Sequence, residues 1–95
     1  MRNRDRMEII SQILEAANGD DNATTTKILY KAFLSHGQLK GLLATLTDSD
    51  LLRYESLRHT FKTTEKGVRF LKTYSQMDQM IKVHKSRLKS DSENY

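Results

Sequence analysis

The sequence predicts a mainly α chain with one small β element (α+β), and three observations carry that prediction. Residues 5–50 divide into three short amphipathic segments, each with its own start and stop signals. Two strand-like runs follow between residues 51 and 63. A last segment then keeps helical periodicity to about residue 89, and the chain holds no proline to divide it.

The first helix begins at Asp5, which forms a capping pair with Glu8. Ile9, Ile10, Ile13, Leu14 and Ala17 make its apolar stripe. Asn18-Gly19 stops it, because glycine takes left-handed backbone without penalty. Asp20-Asp21-Asn22 is a polar loop. Thr24 or Thr25 caps a second helix, with Ile28, Leu29, Ala32 and Phe33 facing inward. Leu34-Ser35 connects it tightly to the third helix, whose start is fixed by a capping box between Ser35 and Gln38. Leu39, Leu42, Leu43 and Leu46 fall on one face of that helix. The opposite face reads His36, Gly37, Lys40, Gly41, Ala44: small residues, one positive charge and no negative one. The helix should end near Asp48-Ser49-Asp50.

Leu51–Glu55 reads as a strand, Ser56-Leu57-Arg58-His59 as a turn, and Thr60–Thr63 as the returning strand with Phe61 toward the core. Thr63 or Thr64 caps the last helix, where Val68 and Leu71 close the core. A second stripe, Phe70, Tyr74, Met77, Ile81, His84 and Leu88, alternates steps of four and three, which is a heptad seam. It runs past any core so small a domain can supply, so it needs a partner. The expected organisation is a core over residues 1–67 with a basic arm (Arg2, Arg4, Arg6), a dimerisation helix over 64–89, and a disordered polar tail over 90–95. This order of elements is that of a winged helix-turn-helix, whose recognition helix lies in a DNA groove.

Composition narrows the function. The chain has 95 residues, 37% of them hydrophobic, so it is one domain with a small core. No cysteine is present, which removes disulfide and thiolate chemistry. No apolar run approaches a membrane span, and no signal-peptide apolar block follows the basic N-terminus. A cytoplasmic, nucleoid-associated protein is the expectation. His36, His59 and His84 lie far apart without metal-ligand spacing, and Asp20-Asp21-Asn22 lacks the later ligands of a calcium loop. Neither an enzyme nor a cofactor or small-molecule site is expected.

The charge pattern points to a polyanion. Between Arg53 and Lys72, six basic residues stand against Glu55 and Glu65, an excess equal to the whole net charge of +4. Arg58 and His59 fall at the wing tip, with Lys62 on the returning strand. Lys27 and Lys31 lie one turn apart on the second helix, where helix-turn-helix proteins touch phosphate. The third helix offers His36, Gln38, Lys40 and Thr45 but no arginine, so modest sequence preference is expected. Double-stranded DNA is the expected partner. The alternative is a winged helix used as a protein–protein interaction module.

The run Thr26-Lys27-Ile28-Leu29-Tyr30-Lys31-Ala32-Phe33-Leu34-Ser35, followed by Leu39, Leu42, Leu43, Leu46 and Leu51-Leu52, resembles the archaeal winged-helix regulators. In particular it is similar to the small dimeric ten-kilodalton DNA-binding proteins of Sulfolobales. Thr63-Thr64-Glu65-Lys66-Gly67 resembles their threonine-x-lysine-glycine entry to the last helix. The resemblance covers roughly residues 7–85 of the chain. It implies a winged-helix domain, a regulatory or chromatin-architectural role on DNA, and a homodimer held by an antiparallel coiled coil of last helices. Asp50 departs from the glycine common in that family before the first wing strand, and Asp tolerates left-handed backbone better than most residues.

Overall fold

The computed structural model describes residues 4–93, with side-chain detail to Ile81. The order of elements is α1 (Arg6–Ala17), α2 (Thr25–Ala32), α3 (His36–Asp48), β1 (Leu52–Glu55), β2 (Thr60–Thr63) and α4 (Glu65–Glu93). The starts follow the capping signals. The Asp5 side chain accepts from the Glu8 N–H, Thr24 from the Lys27 N–H, and Ser35 from the Gln38 N–H. Gln38 completes the box by accepting from the Ser35 N–H. Gly19 (φ 77°) lies just past α1, and Asp50 (φ 63°) takes the left-handed position that precedes the wing.

α1, α2 and α3 surround one apolar core. Ile13, Leu14, Ile28, Leu39, Leu46 and Leu52 are its largest fully buried side chains. β1 and β2 pair antiparallel, in the register Leu52↔Thr63, Arg53↔Lys62, Tyr54↔Phe61 and Glu55↔Thr60. The hairpin is tied back to the helices. Thr60 forms a bridge with Thr24, the Phe61 N–H donates to the Ala23 carbonyl, and the buried Thr63 hydroxyl donates to the Leu14 carbonyl.

Several expectations are corrected. Phe33 does not face inward; it is 82% exposed. It sits in left-handed backbone (φ 54°) at the end of α2, where its N–H reaches the Tyr30 carbonyl and the Leu34 N–H reaches the Leu29 carbonyl. That Schellman closure turns the chain, and Leu34 takes the buried place instead. Phe61 is on the core side of the wing but only half-buried at its rim, while Thr60 and Thr63 are the buried members of β2. Arg4 is not part of a free arm. Its guanidinium donates to the Gln12 side chain and to the carbonyls of Ala32 and Phe33, placing a cation at the negative end of α2. Finally, α4 continues through Ser90 to Glu93, where a tail was expected; those residues include no glycine or proline to stop it. Asn94 and Tyr95 lie outside the described residues.

The entry to α4 explains the Thr63–Gly67 run. The Thr64 hydroxyl accepts from the Gly67 N–H and donates to the Asp50 carbonyl, and the Thr64 N–H donates to the Leu51 carbonyl. Lys66 donates to the Ser49 carbonyl at 2.8 Å, at the C-terminus of α3. Gly67 is buried, and a Cβ there would overlap the Leu51 carbonyl and the Thr63 methyl group. Gly67→Ala should therefore destabilise the fold by about 1–3 kcal/mol in urea unfolding, despite alanine's higher helix propensity. A gain in stability would refute this packing argument.

Candidate nucleic-acid interface

α3 presents the small face read from the sequence. His36, Gly37, Gln38, Lys40, Gly41, Ala44 and Thr45 are all exposed. Leu39, Leu43 and Leu46 hold the other side in the core. Neither Gly37 nor Gly41 has left-handed backbone, and a Cβ on either would meet nothing. Glycine inside a helix costs about 0.8–1.0 kcal/mol relative to alanine. Two such residues one turn apart, with no packing or backbone need for either, leave the surface of α3 open to close approach.

The exposed polar groups of α3 are not equally available. The Gln38 carbonyl oxygen accepts from both the Ser35 N–H and the Ser35 hydroxyl, so it cannot also take part in bidentate pairing with adenine. The Thr45 hydroxyl donates to the Gly41 carbonyl, leaving only its acceptor capacity. His36 and Lys40 lie with Gly37, Thr25, Leu43 and Phe61 around an open groove of ≈ 530 Å³. The first residues of α2 and α3 thus meet the root of the wing, which puts two helix N-termini and a lysine on one side of the molecule.

The wing carries the second basic group. Arg53 and Lys62 are both exposed and stand directly opposite each other. Like charges in that relation weaken a hairpin, so the pair concentrates positive charge on the wing at a cost to it. The cross-strand register sets Arg53 beside Lys62. Sequence reading placed it in the basic cluster but not among the contact residues, because that register was not visible. Arg58 and His59 lie in the turn as expected. His59 has left-handed backbone (φ 54°), and its Nδ1 pairs with the Tyr54 hydroxyl at 2.8 Å.

Lys27 and Lys31 are set differently. Both approach the Asp20 carboxylate, at 3.9 and 3.4 Å. The Asn22 N–H, above all, holds the Asp20 carboxyl below its ordinary value, and the two lysines add to that effect. These lysines are exposed, but a carboxylate already offsets part of their charge.

The expected dimer seam is divided as well. Phe70 packs against the core and stacks on Tyr74 (centroids 6.2 Å apart, planes 7° apart). Tyr74 is half-buried, and burial raises its pKa, aided by the negative charges of Asp5, Asp78 and Glu8. These two half-buried aromatic residues make contacts within the chain as well as lying on the predicted seam. Met77 and Ile81 are exposed, as is Met80, which the heptad reading had not included. The side chains of His84 and Leu88 lie outside the described residues.

Two comparisons place the chain. Residues 3–82 match the winged helix-turn-helix family. Among solved structures it is similar to the crystal structure of Sso10a-2, described as a DNA-binding protein from Sulfolobus solfataricus. The TM-score is 0.77 and the identity 23%, over 95% of each chain. At that identity the likeness is one of fold. No curated protein matches the sequence. Among the described residues, no cluster of side chains could hold a metal ion, and no helix is long and apolar enough to cross a membrane.

Asp20 gives this surface a test. Asp20→Asn should free both lysines, so the variant should elute from heparin at higher salt than wild type. The sign for stability follows from the lowered pKa. The Asp20 contribution is present above the ordinary carboxylate value of 3.8 and is lost as pH falls through the lower folded value. The variant should accordingly lose less stability than wild type on acidification through that window. Unchanged heparin elution would show that Asp20 does not screen the two lysines.

Proposed function

The chain belongs to the winged helix-turn-helix family, and on that footing we propose that it binds double-stranded DNA as a homodimer, as a regulator or architectural protein of modest sequence preference. α3 enters the major groove, and the basic wing lies along the backbone and minor groove. The observation that carries this reading is the pair Gly37 and Gly41. They cost helix stability, serve no packing need, and make room for a closely approaching surface. The exposed, directly opposed Arg53–Lys62 pair supports it with positive charge that faces an approaching anion. The similar fold of Sso10a-2, described as a DNA-binding protein, is consistent with it.

On this reading each group has a role. Lys40 is the one cation on the exposed face of α3 and contacts base edges or phosphate. His36 and Gln38 add donors at the start of the helix, and Thr45 adds an acceptor farther along. Arg53, Arg58, His59 and Lys62 hold the phosphate backbone from the wing. Lys27 and Lys31 contribute a weaker contact, because Asp20 shares their charge. A helix without arginine has little means of strong guanine recognition, so affinity is mostly electrostatic. The dimer is formed through α4, where Met77, Met80 and Ile81 expose apolar surface beyond the core. His84 and Leu88 continue the heptad spacing in the sequence. Antiparallel pairing is the arrangement the family resemblance suggests. Binding the chromosome places the protein in the cytoplasm, at the nucleoid.

Salt titration of binding to mixed-sequence duplexes is the primary test. With about three effective contacts per protomer, log affinity should fall against log salt with a slope of roughly −5. Gly41→Ala separates the glycine argument from general charge. It should raise unfolding stability by about 1 kcal/mol while weakening DNA binding. A variant that is more stable and binds as tightly as wild type would remove α3 from the DNA site. If wild type bound no duplex at low salt, the protein–protein module would be the better reading.

The dimer is tested separately. Ile81→Asp places a charge on the exposed stripe of α4, away from the core. It should sediment as a folded monomer where wild type sediments as a dimer. Equal mass for the two proteins would rule out this stripe as the dimer contact.

A further inference from the structure

The wing ends in an apolar residue that the fold leaves uncovered. Leu57, in the turn between β1 and β2, is 98% exposed. A single exposed leucine is ordinary on a protein surface. Here, however, the turn is braced from behind. Tyr54 bonds His59 through its hydroxyl and lies against Phe61 with ring centroids 5.0 Å apart, and Phe61 packs on the core. The same leucine is flanked by cations: Arg58 follows it, and Arg53 and Lys62 pair on the strands behind it. From Leu52 to Thr63 the only acidic residue is Glu55. A held apolar tip among cations suits a partner with an anionic rim and an apolar interior. The minor groove of DNA has that chemistry, with phosphates at its edges and stacked bases within.

We infer that Leu57 is a minor-groove wedge. As Arg58, Arg53 and Lys62 hold the phosphates, the isobutyl group enters between adjacent base pairs, partly unstacks them and bends the duplex. The inference rests on the DNA-binding reading above and adds what the wing does to the DNA. It also supplies a source of sequence preference that α3 lacks. Pyrimidine–purine steps such as TA unstack easily, whereas A-tracts are stiff, so the wedge favours duplexes that offer a TA step.

The experiment uses the full chain and short duplexes labelled at both ends, read by energy transfer for bending and by anisotropy for affinity across salt. One duplex carries a central TA step and the other an A-tract. Wild type should bend the TA duplex and bind it more tightly than the A-tract. Leu57→Ser should lose the bend and the preference and bind the TA duplex roughly tenfold more weakly, the equivalent of leaving part of a leucine side chain in water. Its salt slope should match wild type, because no cation has been removed. Leu57→Phe should keep the bend. If wild type binds without bending, or Leu57→Ser bends the TA duplex as wild type does, the wedge is overturned while DNA binding stands. If wild type binds neither duplex at low salt, both readings fall.

Discussion

The geometry of this molecule depends on the close approach of Gly67 to Leu51, where no side chain fits between them. At that point the end of α3, the root of the wing and the start of α4 are held within one hydrogen-bonded knot. The Leu51 carbonyl accepts from the Thr64 N–H and lies where a side chain on Gly67 would have to go. Thr64 bonds Asp50, and Lys66 bonds Ser49. Because a helix must start where its cap is, this knot fixes the origin of α4. It also fixes the hairpin, since β2 ends at Thr63, one residue before the cap. The orientation of the wing relative to α3 therefore depends on a contact of a few atoms.

A second set of ties holds the other side of the core. Arg4 binds the last carbonyls of α2, and the Thr63 hydroxyl binds Leu14, so α1 is fastened to both α2 and β2 by polar groups that would otherwise need water. Among the described residues no buried side-chain polar atom lacks a partner. In a domain with so small a core, these bonds define the geometry more than they add bulk stability. The result is that α3 and the hairpin are presented together on one cross-tied core.

The charges are distributed with the same economy. Asp20 draws in Lys27 and Lys31, whereas Arg53 and Lys62 are left facing each other without a carboxylate between them. Opposite charges across the strands would stabilise the hairpin, and this pair forgoes that contribution. The α3 face carries little charge and little bulk, and the wing carries charge at its strands and an uncovered leucine at its turn. On the proposed reading this divides close approach from electrostatic hold.

The sequence by itself determined the element order and most boundaries, because these are local. Capping residues satisfy the free N–H groups of the first turn, and apolar spacing of three and four selects one helix face. The Ser35–Gln38 box, the Leu39–Leu46 stripe and the strand–turn–strand after Asp50 were legible for that reason. The positive charge of the wing segment was also legible, since it needs only a count. Tertiary structure decided what depends on partners distant in sequence. Phe33 fits the inward spacing of α2, but the Schellman closure ends the helix and turns it outward. Arg4 reads as part of an arm until the α2 carbonyls are brought to it. Phe70 and Tyr74 read as heptad seam positions, and only the fold shows that both are also half-buried within their own chain. Gly67 marks a close contact, whereas Gly37 and Gly41 mark open space. Residue type is the same in all three, and the difference lies entirely in which atoms the fold brings within reach of the missing Cβ.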